Sequence, residues 1–472
     1  MESVKDKSEK RRQYMLEGNL LAVIFTIAIP QVVTMLIDSV YSISDTYYVS
    51  QLGDAAISAV SVNDSLMMII RAMSMGFGVG SSSFISRALG ANRDEDASRA
   101  AVTTLFTAMA LQCVVAALGQ LYLLPLVNFL GATESVRPYS MQYARWILYS
   151  APITAATTVI AQILRSEGNT LFSMIGMTSG CLVNIVIDPI FINTFGLGVA
   201  GAAMAKGICN SISLLILLWP FLTRKTVIHL KPSFFTPTKE IYAEILRMGV
   251  PTMMRSSLTS IATILINNTA ASFGDAVMAS ISVANRSLRT VTHVVTGFSQ
   301  GFQPVAGYCY GAKRYDRVMK AYRYTLTIGA IGGLVFGSGL AYYAPSVIGV
   351  FSADPAVKEV GLVLIRTQCL TMLPHVWTMI SSGFFQALGK ATKAAVMGLS
   401  RQLIALIPSV LILPRLFGAM GLACAQATSD TISFILAMIL VIPTLKELGA
   451  IQRGEIEAPE VTTRRGREAA DA

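Results

Sequence analysis

Gly76-Phe77-Gly78-Val79-Gly80, followed by Gly90-Ala91-Asn92-Arg93, returns later as Gly297-Phe298-Ser299-Gln300-Gly301, followed by Gly311-Ala312-Lys313-Arg314. The step from Gly76 to Gly297 is the same at every matched position. It also carries Pro30 onto Pro251, Gly53-Asp54-Ala55 onto Gly274-Asp275-Ala276, Arg145 onto Arg366 and Gly168 onto Gly389. One deletion then brings Gly198 and Gly201 onto Gly418 and Gly421. An echo at one fixed shift over most of a chain marks an internal duplication. The chain reads as two copies of one half, and function is expected between them.

Composition sets the class. Of 472 residues, 53% are hydrophobic and 14% charged, with mean hydropathy +0.58, whereas a soluble domain carries about 25% charge. Apolar runs long enough to cross a bilayer as helix need roughly 20 residues. Twelve are expected, near 20–45, 55–86, 98–128, 137–163, 171–192, 199–221, 242–271, 277–308, 319–350, 358–386, 392–413 and 419–445. No alternating pattern supports a spanning barrel. The first run is too long for a signal peptide and lacks a small-residue cleavage pattern. The six cysteines are scattered through apolar runs and read as small packing residues.

The net charge of +10 is not a nucleic-acid signature, because of where it lies. Lys5, Lys7, Lys10, Arg11 and Arg12 precede the first run, Arg224, Lys225, Lys231 and Lys239 fall between the sixth and seventh, and Arg247 lies in the opening turns of the seventh. Lys313, Arg314, Arg317, Lys320 and Arg323 follow the eighth, Lys390 and Lys393 the tenth, and Lys446, Arg453, Arg464, Arg465 and Arg467 the twelfth. The alternate loops hold little: Arg137, Lys358 and Arg415. By the positive-inside rule both termini are cytoplasmic, in a multi-pass protein of the plasma membrane. Six spans per half is an even number, so the halves are parallel repeats about an axis along the membrane normal. The expected organisation is a lobe over 1–222, a cytoplasmic linker over 223–240, a second lobe over 241–447 and a disordered tail over 448–472. The fold class is all-α: twelve transmembrane helices in two parallel six-helix repeats around a central cavity.

Catalytic signatures are scarce. There is no His-Glu-x-x-His, and the stretch from Gly383 to Gly389-Lys390 has one residue too many for a phosphate loop and then Ala391. No cofactor and no metal is expected beyond possible sodium at Asp45, Asn184 and Asp188. The energy source would be a proton or sodium gradient. Gly76/Gly80, Gly297/Gly301 and Gly176/Gly180 read as small residues that let helices approach. The sequons at Asn63 and Asn267 lie in or beside apolar runs and are discounted.

Charges inside the runs carry the information, since each costs at least about 2.5 kcal/mol at the bilayer centre. Asp38, Tyr41 and Asp45 share one face of the first helix, and Asn184 and Asp188 share one face of the fifth. Pro189 follows directly and removes a backbone donor. Two carboxylates and an amide oxygen suit either an exchangeable proton or a small hard cation.

Here the sequence resembles a known family. Pro30, Tyr41-Ser42-Ile43-Ser44-Asp45 and Leu52-Gly53 are similar to the first helix of the multidrug and toxic compound extrusion (MATE) family. The likeness covers nearly the whole chain, and Asn184-x-x-x-Asp188 resembles the fifth-helix motif of its DinF-like branch. It implies two six-helix lobes working by alternating access, a coupling role for Asp45, Asn184 and Asp188, and a supporting one for Tyr41. One position departs from the pattern. The sixth-helix site position, small and polar in the branch, is Lys206 here. An ammonium there would take sodium's place, and Lys206 is expected to pair with Asp188 and leave Asp45 to exchange protons.

Further ionisable residues are expected to line a substrate cavity. Asp64 and Arg71 share a face of the second helix, Arg255 follows Pro251, and Arg286, Arg289 and His293 share a face of the eighth. Spans seven, eight and ten carry no interior carboxylate, so the acidic second-lobe site of the NorM-like branch is missing. The second lobe therefore reads as basic, which suits an anionic or zwitterionic substrate. His375 reads as a satisfied packing residue.

The reading is a cation-coupled secondary antiporter exporting small organic molecules. It is not an enzyme, its partners are a small-molecule substrate and the lipid bilayer without nucleic acid, and it is expected to act as a monomer. The alternative is a flippase for lipid-linked or amphiphilic anions. A membrane-embedded enzyme would need a nucleophile and base or a metal motif, and a channel a repeated filter sequence; neither is found.

Overall fold

The computed structural model describes residues 4–351 and 355–457. Among them there is no strand. The first half runs through α1 (Val4–Glu17), α2 (Leu20–Ser50), α3 (Asp54–Gly90), α4 (Asp94–Leu121), α5 (Leu123–Phe129), α6 (Arg137–Ser166), α7 (Thr170–Pro189) and α8 (Gly198–Leu222). The second runs through α9 (Lys239–Ser272), α10 (Asp275–Gly311), α11 (Tyr315–Phe351), α12 (Pro355–Leu370), α13 (Met372–Ala387), α14 (Ala391–Leu399) and α15 (Ile407–Gln452). Among the described residues, eight helical stretches are long and apolar enough to span a membrane by themselves. The last, Ala391–Gln452, bends at Gly418 (φ 59°, ψ −143°) and holds two of the twelve expected spans. Only glycine adopts that backbone without strain. The arginine-bearing α9 and α10 and the broken α12–α13 pair supply the rest.

Prolines set the breaks. The third span, expected as one run, divides between α4 and α5 because the Pro125 ring meets the carbonyl four residues back, at Leu121. Pro374 does the same at Leu370, the last residue of α12. After Asp188-Pro189 the helix widens into a π turn over Ile190–Thr194, and a second π segment, Ser400–Leu406, precedes Pro408. Single π turns inside helices recur at functional sites.

The chain forms two compact units, and their boundaries fall inside helices. Among the described residues, one unit holds 4–12, 33–85 and 93–253; the other holds 13–32, 86–92, 254–351 and 355–457. The glycines explain why. In the first unit a Cβ on Gly80 would collide with the Ile245 carbonyl, and one on Gly76 with Met253, so α3 lies directly on the start of α9. In the second unit Gly301 meets Ala28 and Gly297 meets Val32, so α10 lies on the start of α2. The repeat shift converts one set of contacts into the other, so each half's second span packs on the opening of the other half's first.

Each unit has its own apolar core. In the first it gathers Leu66, Ile70, Leu123, Val127, Tyr143, Ile147, Leu148 and Val199; in the second, Ile281, Leu288, Ile348, Leu364, Ile365, Leu406, Val410 and Leu422. Leu215, Ile331, Phe336, Ile412 and Ile439 are exposed, a distribution that fits hydrocarbon outside the protein.

The linker after α8 lies against the first unit. Thr236 N–H donates to Thr103 Oγ1 at 3.1 Å, and Phe235 packs edge-on to Phe106. The Ile228 N–H donates to Glu167 Oε1 at 2.7 Å, with Arg11 3.9 Å from the other oxygen. Burial pushes the Glu167 carboxyl up to about 7, against the opposing pull of Ile228 and Arg11. The stretch after 447, expected as tail, starts as helix. Leu448 and Ile451, three apart on one face, are buried and extend α15 to Gln452, while 458–472 lie outside the described residues.

Candidate functional site

Close approach of α7 to α8 builds the first-half site. Gly176 faces Leu217, and Gly180 faces Ser213 and the Cys209 carbonyl. One turn further, Asn184 Nδ2 donates to Cys209 Sγ at 3.6 Å. Antiparallel register then sets Asp188 level with Ala205. Lys206, the next residue, is rotated by roughly 100° away from α7.

Its ammonium goes elsewhere. Lys206 Nζ donates to Asp45 Oδ2 on α2 at 2.9 Å and to the Tyr143 hydroxyl on α6 at 2.7 Å. The expected Lys206–Asp188 pair is therefore corrected to Lys206–Asp45, and the reason is that register. The ammonium is also 5.4 Å from the Tyr143 ring centroid, but it sits on the hydroxyl, so the contact is a hydrogen bond rather than a cation–π one. The Tyr143 hydroxyl passes its own hydrogen to Met67 Sδ at 3.6 Å. The side chains of the pair are 8% and 14% exposed.

Asp188 is 0% exposed; neither carboxylate oxygen makes a hydrogen bond of good geometry, and the Asn184 side chain interacts with it from one turn away. Asn184 Oδ1 and Asp45 Oδ1 are buried without a hydrogen-bond partner in the protein. Asp188 lies within electrostatic reach of both Asp45 and Lys206. Tyr41 feels Lys206, Asp45 and Arg71, and Asp64 feels the same three. Asp38 and Arg71 both act on Cys181. The first-half residues chosen from sequence thus gather into one charged cluster, with Asp64 and Arg71 exposed at its edge. Tyr143 joins it unannounced: one of 16 tyrosines, with nothing in its neighbours to mark it. Asn63, dismissed as a sequon, is buried and donates to Ser140 Oγ at 2.7 Å.

In the second half, Arg255 is half-buried beside Gly398 and within reach of Arg401. Arg289 is exposed and His293 half-buried on α10, and the side chain of Arg286 lies outside the described residues. His375 is buried and has a polar partner. Its Nδ1 is 3.3 Å from Asp430 Oδ1, which also accepts from Arg401 Nε at 2.6 Å. Sequence reading missed Asp430 and Arg401, although a lone carboxylate in the twelfth run is the signal that finds such groups. Among the described residues no cluster of three metal-ligating side chains occurs, and the six cysteines are free.

Comparisons with known proteins agree with this architecture. The MatE family model matches twice, over 30–190 and 251–411, and the two matches are offset by the same step as the internal repeat. Multidrug export protein MepA of Staphylococcus saprophyticus is 25% identical over 438 residues, covering 92% of this chain and 96% of that protein. MepA of Staphylococcus aureus strain NCTC 8325 is 25% identical over 436 residues, with the same coverage. A crystal structure of MATE in the straight conformation has a TM-score of 0.87 at 28% identity, covering 92% of this chain and 98% of that one. A transporter from Pyrococcus furiosus, described by the reverse polarity of its binding pocket, has a TM-score of 0.84 at 28% identity over the same shares. A duplicated spanning-helix fold, a charged cluster without catalytic apparatus and a family match in each half lead to one conclusion: this chain belongs to the MATE family of multidrug efflux transporters, multi-pass membrane proteins that are not enzymes.

Proposed function

We propose that the protein is a proton-coupled antiporter that exports small organic molecules and does not use sodium. The observation that carries this is the 2.9 Å contact of Lys206 Nζ with Asp45, beside a fully buried Asp188. A sodium site at Asp45, Asn184 and Asp188 would need Asp45's charge, and a tethered ammonium already holds it. Asp188 then carries the exchangeable proton. Protonation at Asp188 would bias one access state and substrate the other, each by its differential affinity for the two states. Tyr143 holds the ammonium in place, and Tyr41 lies within electrostatic reach of the pair. The basic flanks support cytoplasmic termini.

Arg255, Arg289 and His293 favour an anionic or zwitterionic substrate. The reverse polarity described for the binding pocket of the Pyrococcus furiosus relative supports this, since pocket charge then differs among transporters of similar fold. Everted vesicles under imposed proton or sodium gradients, offered ethidium and a panel of organic acids, test the reading. Acid accumulation driven by protons alone is expected. Sodium-driven transport would overturn the coupling, and strong ethidium export without response to acids would overturn the substrate class.

A further inference from the structure

We propose that the cavity between the start of α2 and the first turns of α11 holds the phosphate of an anionic phospholipid, with Arg314 and Lys320 as its charged contacts. The site lies within the second compact unit and is independent of the coupling and substrate readings.

The α1–α2 corner opens the cavity. α1 ends at Glu17 and α2 starts at Leu20. Arg317 of α11 ties that corner down: its Nε donates to the Met15 carbonyl at 3.2 Å and its Nη2 to the Gly18 carbonyl. Beside it lies a cavity of about 420 Å³ whose lining includes Asn19, Leu21, Arg314, Lys320 and Tyr324. That volume is within the range of small-ligand pockets. Arg317, Lys320 and Tyr324 are three and four residues apart, so one face of α11 supplies them. Arg317 is occupied by the two carbonyls. Arg314 and Lys320 are exposed, and among the described residues their side chains make no ion pair. Asp316 is the only carboxylate on the lining, against three cations.

The internal duplication separates this group from the general surplus of cations in loops. The shift that carries Gly90 onto Gly311 lays Arg93-Asp94-Glu95-Asp96 and Arg99 onto Arg314-Tyr315-Asp316-Arg317 and Lys320. In the first copy the cations are answered within the same turn: Arg93 lies 3.6 Å from Asp96, and Arg99 pairs with Glu95. In the second copy Tyr315 and Arg317 stand where Asp94 and Asp96 stand in the first. Orienting a chain by its positive loops needs the cations but not the loss of their partners.

A free phosphate would need the cations alone. Here the wall of the cavity continues as apolar surface. Leu21 and Tyr324 are on the lining and are each 41% exposed. Leu21, Phe25 and Ile29 recur every four residues along α2 and are all exposed, so an apolar strip runs from the cavity along the span. Tyrosine, with an apolar ring and a polar tip, is enriched at headgroup level. Cations at the corner with an apolar strip beside them match a phosphate that carries an acyl chain, and basic pockets between spanning helices suit anionic headgroups.

The test uses the full purified protein in mild detergent, with retained lipid counted by native mass spectrometry. The probes are phosphatidylglycerol, phosphatidylcholine with the same chains, and inorganic phosphate. Wild type is expected to retain phosphatidylglycerol and release phosphatidylcholine. Arg314→Gln/Lys320→Gln should weaken retention about thirtyfold, and Lys320→Gln alone about fivefold, at about 1 kcal/mol per basic side chain near a membrane surface. Both residues are exposed, so these variants should stay monodisperse. Lys225→Gln/Lys231→Gln removes the same charge from the linker after α8 and should leave retention unchanged. Leu21→Gln should weaken lipid retention through the apolar strip. Equal losses in the two double variants, or no loss in Arg314→Gln/Lys320→Gln, would overturn the proposal. Inorganic phosphate that displaces the lipid from wild type at millimolar concentration, with no effect of Leu21→Gln, would overturn the lipid as occupant in favour of a free anion.

Discussion

Replacing Lys206 by Thr removes the tethered cation and leaves Asp45 buried. At 2.9 Å the gross attraction in the pair is about 6 kcal/mol for an effective dielectric of 20. Removing one partner of a buried pair typically costs about 3–5 kcal/mol, because the other charge is left uncompensated. Lys206→Thr also frees the Tyr143 hydroxyl that accepts from the ammonium. In choline buffer the variant is therefore expected to lose about 3–5 kcal/mol. Sodium should return part of this, since Asp45, Asn184 and Asp188 now offer oxygens without a competing ammonium. At a sodium concentration a hundredfold above its Kd the gain is about 2.7 kcal/mol. The assay is unfolding of purified protein in sodium against choline chloride at equal ionic strength. Wild type is expected to melt identically in both, while Lys206→Thr melts lower in choline and recovers in sodium. Equal sodium stabilisation of both proteins, or an unchanged melting point in choline, would refute the reasoning.

Other outcomes follow from the same geometry. Glu167 has a folded value raised from 4.5 to about 7, so its contribution is present below about pH 4.5 and lost as pH rises through 7. The loss amounts to about 3 kcal/mol at most. Melting between pH 5 and 8 should fall in wild type and stay flat in Glu167→Gln, and parallel curves would contradict this. Gly301→Leu places a side chain into the Ala28 backbone and should abolish folded protein, whereas Gly339→Leu, with open space around it, should not. Size-exclusion profiles of the two decide. Asp188→Asn should stop proton-driven efflux in everted vesicles while the protein remains monodisperse, because the amide keeps the shape and loses the ionisable group.

The duplication and the span count were legible because both rest on patterns that local chemistry writes into the chain. Apolar length and glycine spacing survive the displacement from Gly76 to Gly297. The exchange of α2 and α9 openings between compact units was not legible: Gly76 and Gly297 announce close packing but not which helix fills the space. The charged cluster was half legible. Helical spacing put Asn184 and Asp188 on one face, but whether Lys206 reaches one carboxylate or another depends on the register of α7 against α8. One residue of register turned the ammonium from Asp188 to Asp45. Tyr143 carries no charge and so left no trace against an apolar background. Asp430 did leave one, but its partner Arg401 lies in a π segment, where ordinary helical spacing misplaces a side chain.

As proposed, Asp188 holds the coupling proton because Lys206 has already neutralised Asp45. Infrared difference spectra of the reconstituted protein, taken across a pH step without substrate, test it most directly. The expected result is a protonated-carboxyl band in wild type that disappears in Asp188→Asn, survives in Asp45→Asn and does not respond to sodium. A band that survives Asp188→Asn and vanishes in Asp45→Asn, or one displaced by sodium in wild type, would contradict it.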